Sequence, residues 1–533
     1  MKALFLSATL SGILYVLSFA PWDLHPLQWF AFVPLLLSAD RIRNRHGSLK
    51  TTLLAGTWMS VIICIGGFYW MVGATMRYGG LPLPAALGVF LAFSLTGQLQ
   101  VPLYLMIRDQ VLRHSSPSTL NSLVHPLLLG AFYAGIESLY PKIFLDTAGH
   151  AFHSSLLVRQ AADVGGVFFL TFLALTFNEG IATAFRIRRI RPALAAIALL
   201  ACTLIYGQWR VNQHRDYESG TARTAPRLRA SMVQANIGDF LKVAAERGTR
   251  DAMTAVLEQY LGLSGQALQE TARPDAIIWP ETAYPSIFRQ PETPNEVRME
   301  SRLNDFLGTF RGTLIFGGYD RDTSGVEFNS LFFHHAPSQT TRTYHKNVLL
   351  MFGETLPFAD SFPTMKSWFP TMGFFGRGPG PELIEVKNAE GHPFNLAPSI
   401  CYEGLIGEHS AQGAWLGADA LVNVTNDSWF GPDGEPYLHL ALTRFRTVET
   451  RLPLLRSTNT GFSVWMDAIG ETRARSGLFE SAVLNAEIEK RTWPLSPYLQ
   501  IGRSLGANWF ARICQILTLI YAGIFLARRF RSI

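Results

Sequence analysis

The chain has 533 residues, 48% of them hydrophobic and only 16% charged, with a formal net charge of +6. Mean hydropathy is +0.16, high for a soluble protein, and the sequence pI is about 9.1. That basic balance needs no nucleic-acid partner, because it resides mainly in short Lys- and Arg-bearing loops between apolar segments.

Those segments run over residues 4–20, 27–39, 52–74, 82–107, 122–140, 163–183 and 192–209, with one more at 510–527. A helix crosses a bilayer in about 20 apolar residues, so about eight transmembrane helices are expected. The second segment is short and the fifth is interrupted by Glu137. The first follows Lys2 and precedes small residues, as a signal peptide does, but further spans follow at once and it reads as an uncleaved first helix. Alternate loops differ sharply in charge. One set carries fourteen basic residues, among them Lys2, Arg41, Arg108, Arg186 and Arg528, and the other only Arg77, Lys142 and Arg159. The basic side faces the cytoplasm, so both termini are expected there and the polar insert outside. The division expected is a seven-helix domain over 1–209, an external domain over 210–508, and a last helix with its tail over 509–533. Glu137 and Glu179 lie in or near spans, where acids are functional candidates; an interfacial position is the alternative.

The insert alternates β-rich runs with helical patterns. LRASMVQANI, DAIIWPETAY, GTLIFGGYD, NSLFFHHA, NLAPSICYEG, DALVNVTND and RSTNTGFSVWMDA read as strands. TRDAMTAVLEQYLGLSGQALQE, starting near Thr249, and EPYLHLALTRFRTVETR carry apolar residues at helical spacing. An α/β fold with a helix-covered sheet is expected. TMKSWFPTMGFFGRGPGPE reads as a long loop. Its glycines do not link a strand to a helix as a dinucleotide site requires.

Three strand ends carry reactive side chains: Glu281 in IIWPETAYP, Lys346 in TYHKNVLLMFGE and Cys401 in PSICYEG. The other cysteines, Cys64, Cys202 and Cys514, fall inside long apolar segments, so the polar insert holds a single thiol. It cannot form a disulfide within the insert, although the outside compartment is oxidising. In α/β sheets, sites form at the carboxyl ends of strands. There a carboxylate serves as general base, an ammonium stabilises a thiolate and a developing oxyanion, and the thiolate attacks. The N–H of Tyr402 is a candidate second oxyanion donor. Taken singly, Glu281 and Lys346 also read as a solvated loop acid and an exposed strand residue. His345 points to the face opposite Lys346 and reads as structural, as does His439. No His/Cys cluster has metal-ligand spacing, so neither metal nor cofactor is expected.

These residues resemble the Glu-Lys-Cys triad of the nitrilase superfamily, which implies an αββα sandwich. WPETAYP, YHKNVLLMFGETLPF, ICYEGLIGE, VTNDSWFGPDGEPYLHLALTRFRTVET and PLLRSTNTGFS, in this order, are similar to the apolipoprotein N-acyltransferases. That resemblance implies Glu281 as base, Lys346 as oxyanion-stabilising amine and Cys401 as nucleophile. It adds Glu354, Tyr402 and Glu403 as supporting residues, with Glu354 holding Lys346 and Glu403 positioning the attacking amine or ordering the site; a structural salt bridge is the alternative for both carboxylates. It places Asn426 and Trp429 in the pocket and leaves Gln234 and Asn236 holding the first strand. Trp368, Phe369, Phe374 and Phe375 are candidates for a lipid-facing lid. The pattern departs at Met351, where the family has Pro, and in GDFLKV, which lacks a nearby aromatic.

The implied activity is acyl transfer from a membrane phospholipid, through a Cys401 thioester, to the N-terminal amine of a diacylglyceryl-cysteine apolipoprotein. The implied setting is the bacterial inner membrane, with the catalytic domain in the periplasm. Three alternatives stand beside this reading. They are a membrane-tethered amidase sharing the triad, a non-catalytic membrane scaffold, and a transporter; the few charges in the spans and the lack of paired broken helices weigh against the last.

Overall fold

The computed structural model describes residues 2–44, 48–77, 79–114, 119–246, 248–351, 353–356, 361–362, 364 and 373–531. The chain forms two compact units. One comprises Met1–Gln213, Asp433–Glu449 and Ser496–Ile533; the other comprises His214–Pro432 and Thr450–Leu495.

The first unit is helical. Among the described residues, five helices are long and apolar enough to cross a membrane: Leu49–Phe68, Leu83–Arg113, Leu120–Leu139, Val167–Ile187 and Arg191–Ser219. Pro497–Leu505 and Trp509–Phe525 reach that standard only as a pair, bent by 59°. The bend follows Gly506, whose φ of +86° ends the first helix of the pair. Lys2–Ser18 is apolar but has 17 residues. The run expected to span at 27–39 is instead divided into a 3-10 turn, His25–Trp29, and the 12-residue helix Val33–Asn44. Pro26 and Pro34 explain the division, since proline is accommodated in a first helical turn and not in the middle of one. Of the about eight spans expected, five qualify alone among the described residues and a sixth as the bent pair.

Glu179 and Glu137 are both buried here. Arg108 donates to Glu179 at 2.5 Å and to Asp40 at 2.8 Å, and the Tyr104 hydroxyl donates to Glu179 at 2.5 Å. Glu137 accepts from the Ala148 N–H at 3.0 Å and the Thr171 hydroxyl at 2.9 Å. Buried carboxylates need such partners, and these ones tie helices together.

The second unit is built, among the described residues, on twelve strands: β1 Arg227–Gln234, β2 Ala276–Ile278, β3 Thr313–Arg321, β4 Glu327–His335, β5 Thr340–His345, β6 Ile384–Lys387, β7 Pro393–Ile400, β8 Ala420–Thr425, β9 Leu454–Thr458, β10 Val464–Met466, β11 Thr472–Arg475 and β12 Ala482–Glu489. They form two six-stranded sheets, ordered β12-β1-β2-β3-β4-β5 and β11-β10-β9-β8-β7-β6. Each has a parallel centre, β1-β2-β3 in one and β7-β8-β9 in the other, flanked by antiparallel strands. Strand alternation sends successive side chains to opposite faces. Met232, Ile278, Ile315, Leu331, Val422 and Leu455 therefore meet in a core between the sheets. Val233, Ile277, Trp279, Leu314 and Phe316 face the other way, onto Met253, Leu257, Tyr260 and Leu303. Those last four belong to the helices Arg250–Gln269 and Pro294–Thr309. The helix Gly407–Leu416 packs on β7, where Gly413 approaches Ala397 too closely for a side chain. The layers are helix, sheet, sheet, helix, as the resemblance implied.

Candidate active site

Cys401 directly follows β7, Lys346 directly follows β5, and Glu281 lies three residues beyond β2. Strand β7 passes without a break into the 3-10 turn Cys401–Leu405. Reversing direction in so little chain puts Cys401 at a φ of +52°, a left-handed conformation that costs a non-glycine residue free energy.

Lys346 is 1% exposed, Glu281 7% and Glu354 9%. The ammonium lies 2.8 Å from each oxygen of Glu354 and 3.4 Å from Glu281 Oε1. Glu281 also accepts from the Asn329 side-chain amide at 2.8 Å and from the Asn426 N–H at 3.0 Å. Asn329 makes a second bond to Glu354 at 2.9 Å. Its carbonyl accepts the Lys346 N–H at 2.9 Å. Burial alone would push the Lys346 ammonium down. The charges of Glu354, Glu281 and Cys401 outweigh it and hold Lys346 well above the ordinary lysine value.

The thiol behaves in the opposite way. Burial pushes Cys401 well up, and the Glu281 charge adds to that; Lys346 and a hydrogen bond from Thr425 pull it down without cancelling the rise. Burial and the Glu281 charge thus favour the protonated thiol, an arrangement suited to proton removal during attack.

Glu403 is completely buried and accepts four hydrogen bonds. Oε1 takes the N–H groups of Asn347 at 2.5 Å and Val348 at 3.0 Å. Oε2 takes the Ile400 N–H and the Tyr344 hydroxyl, both at 2.8 Å. One carboxylate thus fastens the turn bearing the cysteine to the segment that follows the lysine. Behind Cys401, Asn423 donates to the Cys401 carbonyl at 3.4 Å and accepts from the fully buried Arg456 at 2.6 Å.

Over residues 11–179 the sequence matches the apolipoprotein N-acyltransferase N-terminal domain family, and over 229–495 the carbon-nitrogen hydrolase family. The apolipoprotein N-acyltransferase of Bdellovibrio bacteriovorus is 31% identical, over 98% of this chain and 95% of that protein. This chain belongs to the apolipoprotein N-acyltransferase family. The relative of that name from Geobacter metallireducens is 29% identical over 91% of this chain and 89% of its own. Among solved structures, a carbon-nitrogen hydrolase from Helicobacter pylori aligns with 54% of this chain and 94% of its own, at 18% identity and a TM-score of 0.37.

All of the cluster described above falls within the stretch matched by the carbon-nitrogen hydrolase family. Asn426 reaches it through its backbone, while its side chain accepts from Asn459 at 3.2 Å. Tyr402 is half-buried, and burial pushes its hydroxyl up to about 12. Trp429 belongs to the turn Ser428–Phe430. Trp368 and Phe369 lie outside the described residues. Phe374 and Phe375 are half-buried, and Phe375 stacks on Tyr319 at 5.6 Å between ring centres. Gln234 sits in a structural net, accepting from Ser463 at 2.7 Å and Ser476 at 2.8 Å. His345 pairs with Asp320 at 2.8 Å and stacks on Phe328.

The sequence reading missed Asn329, Tyr344, Asn423 and Arg456. A signal existed for the first and the last. Asn329 opens the apolar run NSLFFHHA, and Arg456 is a charge inside the apolar strand PLLRST.

Proposed function

We propose that this chain transfers a fatty acyl group from a membrane phospholipid to the N-terminal α-amine of diacylglyceryl-cysteine apolipoproteins, by way of a thioester on Cys401. One observation carries the reading: in a member of this family, Glu403 fastens the turn that bears Cys401 to the segment following Lys346, whose ammonium is held by Glu354 and Glu281.

In the first half-reaction Glu281 takes the thiol proton as Sγ attacks the ester carbonyl. The C–O bond to the glycerol breaks, and the proton passes from Glu281 to the departing alkoxide. A lysophospholipid leaves and the acyl group stays as a thioester. In the second half, the α-amine attacks that thioester and Glu281 takes the amine proton. The amide forms, the C–S bond breaks and the thiol is restored. Lys346, kept cationic by its carboxylate neighbours, stabilises the oxyanion in both halves, with the Tyr402 N–H as second donor. Glu354 holds Lys346, and Glu403 orders the nucleophile's turn, since its four bonds leave little capacity for an incoming amine. Water competes with the amine for the thioester, so the site requires a dry entry. Asn426, Trp429, Trp368, Phe374 and Phe375 are assigned to the acyl-chain pocket and its lid.

The setting proposed is the bacterial inner membrane, crossed about eight times, with residues 1–209 and 509–533 forming the membrane domain. Residues 210–508 form the periplasmic catalytic domain and both termini are cytoplasmic. The basic loops support that orientation.

The test is conversion of a synthetic diacylated lipopeptide. Purified chain in phospholipid vesicles adds one acyl chain to the lipopeptide amine, read by mass spectrometry. Cys401→Ala adds none. An acyl chain gained in the Cys401→Ala protein rules the mechanism out.

A further inference from the structure

The sandwich unit also contains a cleft of about 290 Å³ that none of the catalytic cluster lines. Glu487, Glu489, Arg491 and Trp493, spaced two residues apart, all contribute to its wall. His214, Tyr217 and Glu218, on the last turns of the helix Arg191–Ser219, contribute as well.

Most charges here are matched. Arg227 pairs with Glu487 at 2.9 Å, and Arg473 with Asp467 at 2.8 Å and Glu218 at 2.5 Å. His214 Nε2 lies 3.4 Å from Glu218 and 3.7 Å from Asp467. The ligand atoms of His214, Glu218 and Asp467 lie close enough together for a metal ion, but the Arg473 guanidinium already supplies the cation.

Arg491 is different. Its guanidinium donates only to main-chain carbonyls, Trp493 at 3.2 Å and Ala418 at 3.4 Å, and it makes no salt bridge among the described residues. The carboxylate of Asp419 is occupied by Lys490 at 2.7 Å and by the N–H groups of Asn395 at 2.7 Å and Arg491 at 3.0 Å. Arg491 Nη2 and Trp493 Nε1 are buried without a hydrogen-bond partner. Buried cations are ordinarily matched by anions, and buried donors by acceptors. Two donors in one cleft wall, the Arg491 guanidinium among them, have no anionic acceptor within hydrogen-bond reach among the described residues, and Asp419 acts on that guanidinium only through its charge.

We propose that this cleft binds a phosphate group, with Arg491 as its countercharge and the Trp493 indole N–H as a further donor. A tetrahedral oxyanion accepts from a guanidinium and a neutral N–H at once. The cleft volume is several times the ~30 Å³ of a water, which leaves room for a substituent on the phosphate. Three lining residues sit on a helix long and apolar enough to cross a membrane, which favours a lipid headgroup over the free ion.

The test is native mass spectrometry of the full chain in detergent, in a Cys401→Ala background so that lipid is not consumed. One arm supplies inorganic phosphate, the other dioctanoyl-phosphatidylglycerol. One bound molecule is expected to lose occupancy about tenfold in Arg491→Gln, to persist in Arg491→Lys, and to fall about threefold in Trp493→Phe. Arg491-dependent retention of lipid alone identifies a headgroup site; the same dependence in both arms identifies a site for phosphate itself. Occupancy unchanged in Arg491→Gln in both arms overturns the proposal, as does the absence of binding to the parent chain. If thermal melting shows Arg491→Gln to be unfolded, Trp493→Phe decides: occupancy equal to the parent overturns the proposal, and a loss upholds it.

Discussion

Lys346 and Glu354 form a two-pronged ion pair, the ammonium lying 2.8 Å from each carboxylate oxygen. Glu281 contacts the same ammonium only at 3.4 Å. The division matters, because Glu354 satisfies the lysine and leaves Glu281 less tightly held by it. In Glu354→Gln, Lys346 has only Glu281 as countercharge and the two lock together. Acyl-enzyme formation is expected to fall by about 100-fold or more, with a stability loss of about 3 kcal/mol from the broken buried pair. Stopped single-turnover acylation and thermal melting measure the two effects. An undiminished acylation rate contradicts this division of labour.

Asn329 donates to Glu281 and Glu354 from one amide nitrogen. It keeps two like charges in fixed positions around one cation. Asn329→Ala is expected to lower acylation by about 10- to 100-fold. Asn329→Asp adds a third carboxylate and is expected to be worse than alanine, since like charges repel in a buried site. Equal activity of the two variants would count against the electrostatic explanation.

The raised thiol has consequences for pH. A neutral Cys401 reacts slowly with iodoacetamide at neutral pH, and its labelling rises with pH without levelling off through the ordinary thiol range. Cys202 is exposed and must first be replaced by serine, while Cys64 and Cys514 are buried. Because the folded-state value is raised, the fold is favoured below the unfolded thiol's pKa, and that contribution is lost as pH rises above it. The alkaline fall in melting temperature is therefore expected to be shallower in Cys401→Ala. Fast labelling that is flat from neutral pH upward would instead reveal a resting thiolate.

Glu403→Gln replaces an acceptor of four hydrogen bonds with an amide that must turn its NH2 group toward donors. A loss of about 1–3 kcal/mol is expected for each donor left unsatisfied. Tyr344→Phe removes a single bond and is expected to cost about 1 kcal/mol. Chemical denaturation of both variants tests the order. A Tyr344→Phe loss as large as that of Glu403→Gln contradicts the assignment of Glu403 as the main tie.

Much of this could be read from the sequence because central strands and strand ends leave strong marks. β2, β7 and β8 are buried along their whole length or nearly so and appear as predominantly apolar runs leading to Glu281, Cys401 and Asn426. Strands β6, β11 and β12 left no such mark. They flank their sheets or are exposed on one face, and their alternation of buried and exposed positions carries too few apolar residues to stand out. The helix Pro294–Thr309 was legible and overlooked. Thr293 and Glu296 form a reciprocal capping box, a Thr-x-x-Glu signature at its start. The roles of Glu403 and Asn329 depend on partners 50 or so residues away, which no local pattern encodes. The run at 27–39 was misread as one span because prolines divide it, as at Pro26 and Pro34.

The central claim is that Cys401 carries the acyl group. Intact-mass measurement of the purified chain after mixing with phospholipid tests it directly. The expected result is one acyl adduct, removed by hydroxylamine, absent in Cys401→Ala, strongly reduced in Glu281→Gln, and discharged by a diacylated lipopeptide. A folded chain that forms no adduct with any common phospholipid, or one that keeps its adduct in Cys401→Ala, contradicts the account.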